Sequence, residues 1–223
     1  MSETAPVEVA AAQWFEEHWD PTRPLGDWWR DLADSGYAFP SWPVGLGGLG
    51  LDQQQARAVI RARRDAGAYG PPNGVATFLV APTLLSTGTP DQQRRYLPGI
   101  VDGTEPWCQL FSEPTAGSDM AGLGTRAVRD GDEWRVDGQK VWNSGAHYAR
   151  YGILIARTDP GAPKDRGITC FLIVMSQPGV DVRPLREMPG VAAFNEVFVS
   201  DARVLAVARG GGRGDGGRGG RSR

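Results

Sequence analysis

Trp107-Cys108-Gln109-Leu110-Phe111-Ser112-Glu113-Pro114-Thr115-Ala116-Gly117-Ser118-Asp119 divides the chain into two textures. Pro, Gly and Ser crowd this stretch, so it reads as a loop rather than a helix or strand. Upstream, apolar residues recur at helical spacing. Trp14, Phe15 and Trp19 mark a first helix, and Leu25 to Leu32 a second that stops at Gly36. Asp52 caps a third through Ala56, Val59 and Ile60, ending near Gly67. Val75 to Leu85 is an apolar helix, and Thr89-Pro90-Asp91-Gln92 opens another with a capping box.

Downstream the pattern alternates. Thr125 to Arg129 and Glu133 to Val136 flank Asp130-Gly131, a hairpin signal, and Asp137-Gly138 reads as a second turn. Tyr151 to Ala156, Ile168 to Met175 and Phe194 to Val199 read as further strands. Helices followed by strands imply an α+β chain with segregated modules. The boundaries are a helical domain over 1–104, a small barrel or sandwich over 105–205, and a Gly/Arg-rich tail over 206–223. Within it Gly210 to Arg223 is almost only Gly and Arg, cannot bury apolar surface and is expected to be disordered. Lacking interleaved aromatics, it reads as out-of-frame translation rather than a nucleic-acid segment.

Composition narrows the function. The chain has 223 residues, 40% hydrophobic and 22% charged, with a formal net charge of -2. This is an ordinary globular balance, and it argues against binding nucleic acid. No apolar run is long enough to span a membrane, and Met1 to Thr4 does not begin a signal peptide. Cys108 and Cys170 lack metal-type spacing and read as reduced core thiols, which places the protein in the cytoplasm.

Gly45-Leu46-Gly47-Gly48-Leu49-Gly50 has the spacing of a dinucleotide fingerprint, but Pro40 and Pro43 precede it where a strand is needed, so it reads as a turn. Ser112 and Ser118 lie outside any nucleophile elbow, and the only histidines are His18 and His147, which disfavours a serine hydrolase. Hydroxyls and close-lying N–H groups in this loop suit ligand binding, against the plainer reading of a tight connection between modules. Trp142 and Ser144 share one side of a strand and offer a flat face beside a hydroxyl, or else Trp142 is core. Glu113 and Asp119 have the chemistry of a base, but loop acids of this kind more often cap neighbouring N–H groups.

Phe111-Ser112-Glu113-Pro114, Ala116-Gly117-Ser118-Asp119, Thr125-Arg126-Ala127, Asp137-Gly138-Gln139-Lys140-Val141-Trp142 and Phe194-Asn195-Glu196-Val197-Phe198 together resemble the acyl-CoA dehydrogenase family. The resemblance runs from about Trp28 to Val204. It implies an N-terminal helical domain and a middle antiparallel β-barrel, with the family's C-terminal helical bundle missing. It implies FAD as cofactor, with Gln109, Leu110, Phe111, Ser112, Gly117, Ser118, Trp142, Asn143 and Ser144 around the flavin. Ser118 would also lie near an acyl-CoA substrate. The implied reaction, in fatty acid metabolism, is α,β-desaturation: a carboxylate takes the α-proton and flavin N5 the β-hydride. Electron-transfer flavoprotein and homo-oligomer formation are the implied partners. No residue inherits the base role, so the expectation is a truncated, impaired enzyme with no catalytic residue of its own. The alternatives are an acyl-CoA oxidase, a flavin monooxygenase, or a non-catalytic fragment that binds acyl-CoA or FAD.

Overall fold

Asp52 and Thr89 start two helices as their side chains dictate. In the computed structural model, which describes residues 4–131, 133–163, 166–185 and 194–208, Asp52 accepts from the N–H groups of Gln54 and Gln55 at 2.8 Å each. The Gln55 side chain returns the contact to Asp52 N at 3.1 Å. Thr89 and Gln92 form the same box, which satisfies N–H groups that have no partner inside the helix. The helical part comprises α1 (Thr4–His18), α2 (Leu25–Asp34), α3 (Gln53–Asp65), α4 (Ala81–Thr87) and α5 (Pro90–Val101). The helix expected over Val75 to Leu85 is interrupted. A π-turn at Ala76–Val80 precedes α4, and Ala81 N–H reaches back to Ala76 O. Pro82 at the start of α4 has no N–H to donate, and the local change of pitch accommodates its ring.

The strands are β1 (Trp107–Leu110), β2 (Arg126–Asp130), β3 (Glu133–Ser144), β4 (Tyr151–Arg157), β5 (Ile168–Val174), β6 (Val180–Leu185) and β7 (Phe194–Ala208). Neighbours run β4-β2-β3-β7-β5, and β5 pairs back with β4, closing a barrel. Pairing is antiparallel except that β1 and β2 each run parallel to β4. β6 adds to β7 outside the ring.

Four details correct the sequence reading. Trp107–Leu110 is a strand, not loop, because the turn-forming residues begin only after it and Trp107, Cys108 and Leu110 are buried. Asp137-Gly138 is not a turn, since β3 runs through it. The irregularity is a bulge on β7, where Ser200 and Asp201 face Asp137 alone, and Asp201 N–H donates to Asp137 Oδ1 at 2.8 Å. β6 was not anticipated, because Val180 to Leu185 carries Asp181, Arg183 and Pro184 and is only partly buried. β7 extends to Ala208, past the expected boundary at 205, with Ala206 pairing Phe171 and Ala208 pairing Cys170. The rest of the expected tail, 209–223, lies outside the described residues.

Leu110, Val136, Leu154, Phe171, Val197 and Val204 fill the barrel. A second core joins the two parts: Leu84, Leu97 and Ile100 pack against Trp107, Tyr151, Leu172 and Val207. Glu105 fastens this seam. It is 9% exposed and lies between Arg95, at 3.1 Å, and Arg150, at 3.5 Å. Both guanidinium groups sit over the Tyr151 ring. Cys108 and Cys170 are free thiols, with Cys108 Sγ 3.7 Å from Met175 Sδ. Burial pushes the Cys108 thiol up to about 12, which keeps it an unreactive core group at neutral pH.

Gly138 is required by close approach: a Cβ there would stand 2.3 Å from Thr125 Oγ1 and 2.8 Å from its Cα. Gly138→Ala is expected to lower unfolding free energy by about 2 kcal/mol through overpacking. The check is the urea midpoint, and an unchanged midpoint contradicts the close contact.

Candidate functional site

β1 ends at Leu110, and the chain then turns tightly, with Glu113 and Ala116 exchanging backbone hydrogen bonds of 2.9 and 3.1 Å. The Glu113 carboxylate points inward. It accepts from Gly124 N at 2.6 Å, Thr125 N at 3.0 Å and Lys140 Nζ at 2.7 Å. The Lys140 side chain is fully buried, and its ammonium also donates to Phe111 O at 3.2 Å. Burial raises the Glu113 pKa, but the Lys140 hydrogen bond and the two backbone donors prevail and hold it below the usual carboxylate range. Glu113 is therefore a charged organiser of the loop, bonded to three donors.

The same strand builds the facing wall. β3 pairs Lys140 with Val197 and Asn143 with Asn195, so Val141 and Trp142 stand opposite Glu196 alone. This bulge sends Val141 N–H out of the ladder to Ser112 O at 2.9 Å. Trp142 takes φ 61, and its indole is 62% exposed, edge-on to Phe194 at 5.8 Å. A left-handed conformation for so bulky a residue costs on the order of 1–3 kcal/mol and persists only where the surroundings enforce it.

Between the walls lies a cleft of about 260 Å³ lined by Val75, Gln109, Phe111, Ser112, Val141, Trp142, Asn143 and Ser144. Of the residues singled out in the sequence, Gln109, Phe111, Ser112, Trp142, Asn143 and Ser144 meet there. Leu110 does not, because its side chain is fully buried in the barrel core. Gly117 and Ser118 are exposed beyond the Glu113–Ala116 turn and do not line the cleft. Asn143 is 2% exposed, and its Nδ2 donates to Gln109 O at 2.7 Å. Its Oδ1 is a buried acceptor with no donor among the described residues. Sequence reading missed Val75, Val141 and the role of Lys140. A signal for Lys140 existed: it falls in phase with buried Val136 along β3, where a lysine needs a carboxylate partner.

Two larger clefts, of about 530 and 500 Å³, lie in the helical part. The first runs along the Gly45–Gly50 segment, where Gly45, Gly47 and Gly50 all have positive φ. A Cβ on Gly48 would stand 2.3 Å from Trp42 O, which explains the glycine as a packing requirement of a turn.

Residues 3–104 match the acyl-CoA dehydrogenase N-terminal domain and residues 108–202 the middle domain of the same family. Acyl-CoA dehydrogenase FadE34 of Mycobacterium tuberculosis is 47% identical over 180 residues, which is 78% of this chain and 24% of that protein. Acyl-CoA dehydrogenase IpdE1 of the same organism is 44% identical over 189 residues, covering 85% of this chain and 49% of IpdE1. Among solved structures, the ChsE4–ChsE5 complex from Mycobacterium tuberculosis superposes with a TM-score of 0.68 at 29% identity, over 94% of this chain and 57% of that one. The chain thus spans about a quarter to a half of the length of the curated relatives named.

The Lys140–Glu113 pair is expected to dominate local stability. Lys140→Met leaves a buried carboxylate without its counter-ion and is expected to cost about 3 kcal/mol in denaturant unfolding. Because the folded pKa of Glu113 lies below its ordinary 4.5, its contribution is complete above pH 4.5 and is lost as pH falls through the folded value. Glu113→Gln is expected to flatten the acid limb of the stability–pH curve. An acid limb identical to that of the parent protein would contradict this role.

Proposed function

The chain belongs to the acyl-CoA dehydrogenase family, and on that premise we propose that its cleft is one wall of a site for FAD and an acyl-CoA thioester. The observation that carries this reading is the strained Trp142, whose exposed indole stands beside the Ser112 and Ser144 side chains in one cleft. Strain of this kind is kept where a side chain has a task.

The residues fit the group. A flavin ring has a flat face, an edge rich in acceptors and one N–H donor. The cleft offers an indole face and two hydroxyls to a flat ring with a polar edge. When bound, FAD would supply the two-electron chemistry by accepting the β-hydride of the acyl chain.

The contributions of this chain are positional. Trp142 covers a ring face and keeps water from it. Ser112 and Ser144 offer hydroxyls to the ring edge. Lys140 and Glu113 hold the Phe111–Ser112 main chain at a fixed distance from β3, so that these donors are placed before the ligand arrives. Ser118, on the exposed loop, is the residue proposed to meet the acyl-CoA. Among the described residues no carboxylate lines the cleft, and Glu113 is paired with Lys140, so the proposal assigns removal of the α-proton to no residue described. Reoxidation by electron-transfer flavoprotein, and assembly with further subunits, complete the reading. The base-free cleft also favours a second one, binding without turnover.

Two outcomes test the proposal. FAD titrated into the purified protein is expected to bind, and Trp142→Asn to weaken it at least tenfold while leaving thermal stability equal or slightly higher, since Asn tolerates the left-handed region. Equal FAD affinity in both proteins would remove the support. With FAD supplied, desaturation of an acyl-CoA by this chain alone is expected to run about two to four orders of magnitude below that of an enzyme with a positioned base. Full turnover would sink the assignment of Glu113 as organiser only.

A further inference from the structure

The residue that follows the left-handed Trp142 is fastened from the opposite strand. Asn143, the next residue, is pinned twice: its side-chain amide donates to Gln109 O at 2.7 Å, and its carbonyl accepts from Asn195 Nδ2 at 2.9 Å. Asn195 is fully buried, 0% exposed, and its Nδ2 also lies 3.2 Å from His147 Nδ1. Nothing in the β3–β7 ladder itself calls for an amide here. Asn is disfavoured inside strands, and the ordinary buried residue at such a position is apolar. The choice also leaves Asn195 Oδ1 buried with no partner among the described residues, which lowers stability. A residue that lowers stability in this way, one register position from a strained tryptophan, points to a task outside packing.

We propose that Asn195 is a positioning residue: its buried amide fixes the Asn143 carbonyl and so maintains the bulge that presents Trp142 to the cleft. The consequence for the ligand rests on the reading of the cleft as the flavin wall, whereas the conformation of Trp142 does not.

The test labels the whole chain with 5-fluorotryptophan and records its fluorine NMR spectrum without ligand. The chain has 8 tryptophans, and Trp142→Phe identifies the resonance of interest. Asn195→Leu is expected to shift and broaden the Trp142 resonance, leave those of the other tryptophans in place, and weaken FAD binding at least tenfold. His147→Ala changes an exposed side chain, removes one of the two acceptors of the amide, and is expected to shift the same resonance less. A Trp142 resonance unmoved in both variants overturns the proposal. So does a spectrum in which every tryptophan moves together, because that marks a merely structural role. Should Asn195→Leu fail to fold, His147→Ala decides alone, and an unmoved resonance there overturns it. A shifted Trp142 resonance in a protein that takes up no FAD leaves the positioning role standing and removes the flavin reading.

Discussion

The buried ion pair between Lys140 and Glu113 is the constraint on which the cleft depends. A lysine with a fully buried side chain in the middle of a strand is tolerable only with a charged partner and further hydrogen bonds. Glu113 provides the partner, Phe111 O takes a second ammonium hydrogen, and the Gly124 and Thr125 N–H groups complete the carboxylate. These bonds tie the loop after β1, the segment before β2 and the middle of β3 to one point. Remove either charge and three segments lose their common anchor.

From that anchor the cleft follows locally. Lys140 fixes where the regular part of β3 stops, and the bulge begins at the next residue. The diverted Val141 N–H goes to Ser112 O, so the loop and strand that form opposite walls are bonded to each other at the base of the cleft. Trp142 is left with an unfavourable backbone and an exposed ring, while Asn143 and Asn195 retain buried oxygens without a partner among the described residues. Each of these lowers stability, and all lie within one short stretch of paired strand. Well-packed cores elsewhere, such as the seam of Leu97, Ile100, Trp107 and Tyr151, supply the stability that lets this stretch be suboptimal.

Much of this was legible in the sequence, for identifiable reasons. Capping residues act locally, so Asp52 and Thr89 could be read directly; alternation exposed β2 and the start of β3, and apolar runs exposed β4 and β5. Ser112, Trp142 and Ser144 stood out by their hydroxyls and flat ring, and Phe111 through the family resemblance. What failed depended on partners distant in sequence. Asp137-Gly138 carries a turn dipeptide, but its conformation is set by β7 and by Thr125, which no local rule sees. Trp107–Leu110 is too short to show a period and becomes a strand only through β4. Gly117 and Ser118 stand on the exposed loop beyond the Glu113–Ala116 turn, where Ser118 keeps its proposed place beside the acyl-CoA. Asn195 gave no signal, since its environment is built by β3 and His147.

The most direct measurement is a crystal structure of the protein grown with FAD. The account predicts the flavin ring against the Trp142 indole, with the Ser112 and Ser144 hydroxyls at its edge and the Lys140–Glu113 pair unchanged. A flavin seated instead in the glycine-lined cleft of the helical part, or a Glu113 carboxylate released from Lys140 to face the ligand, would contradict it.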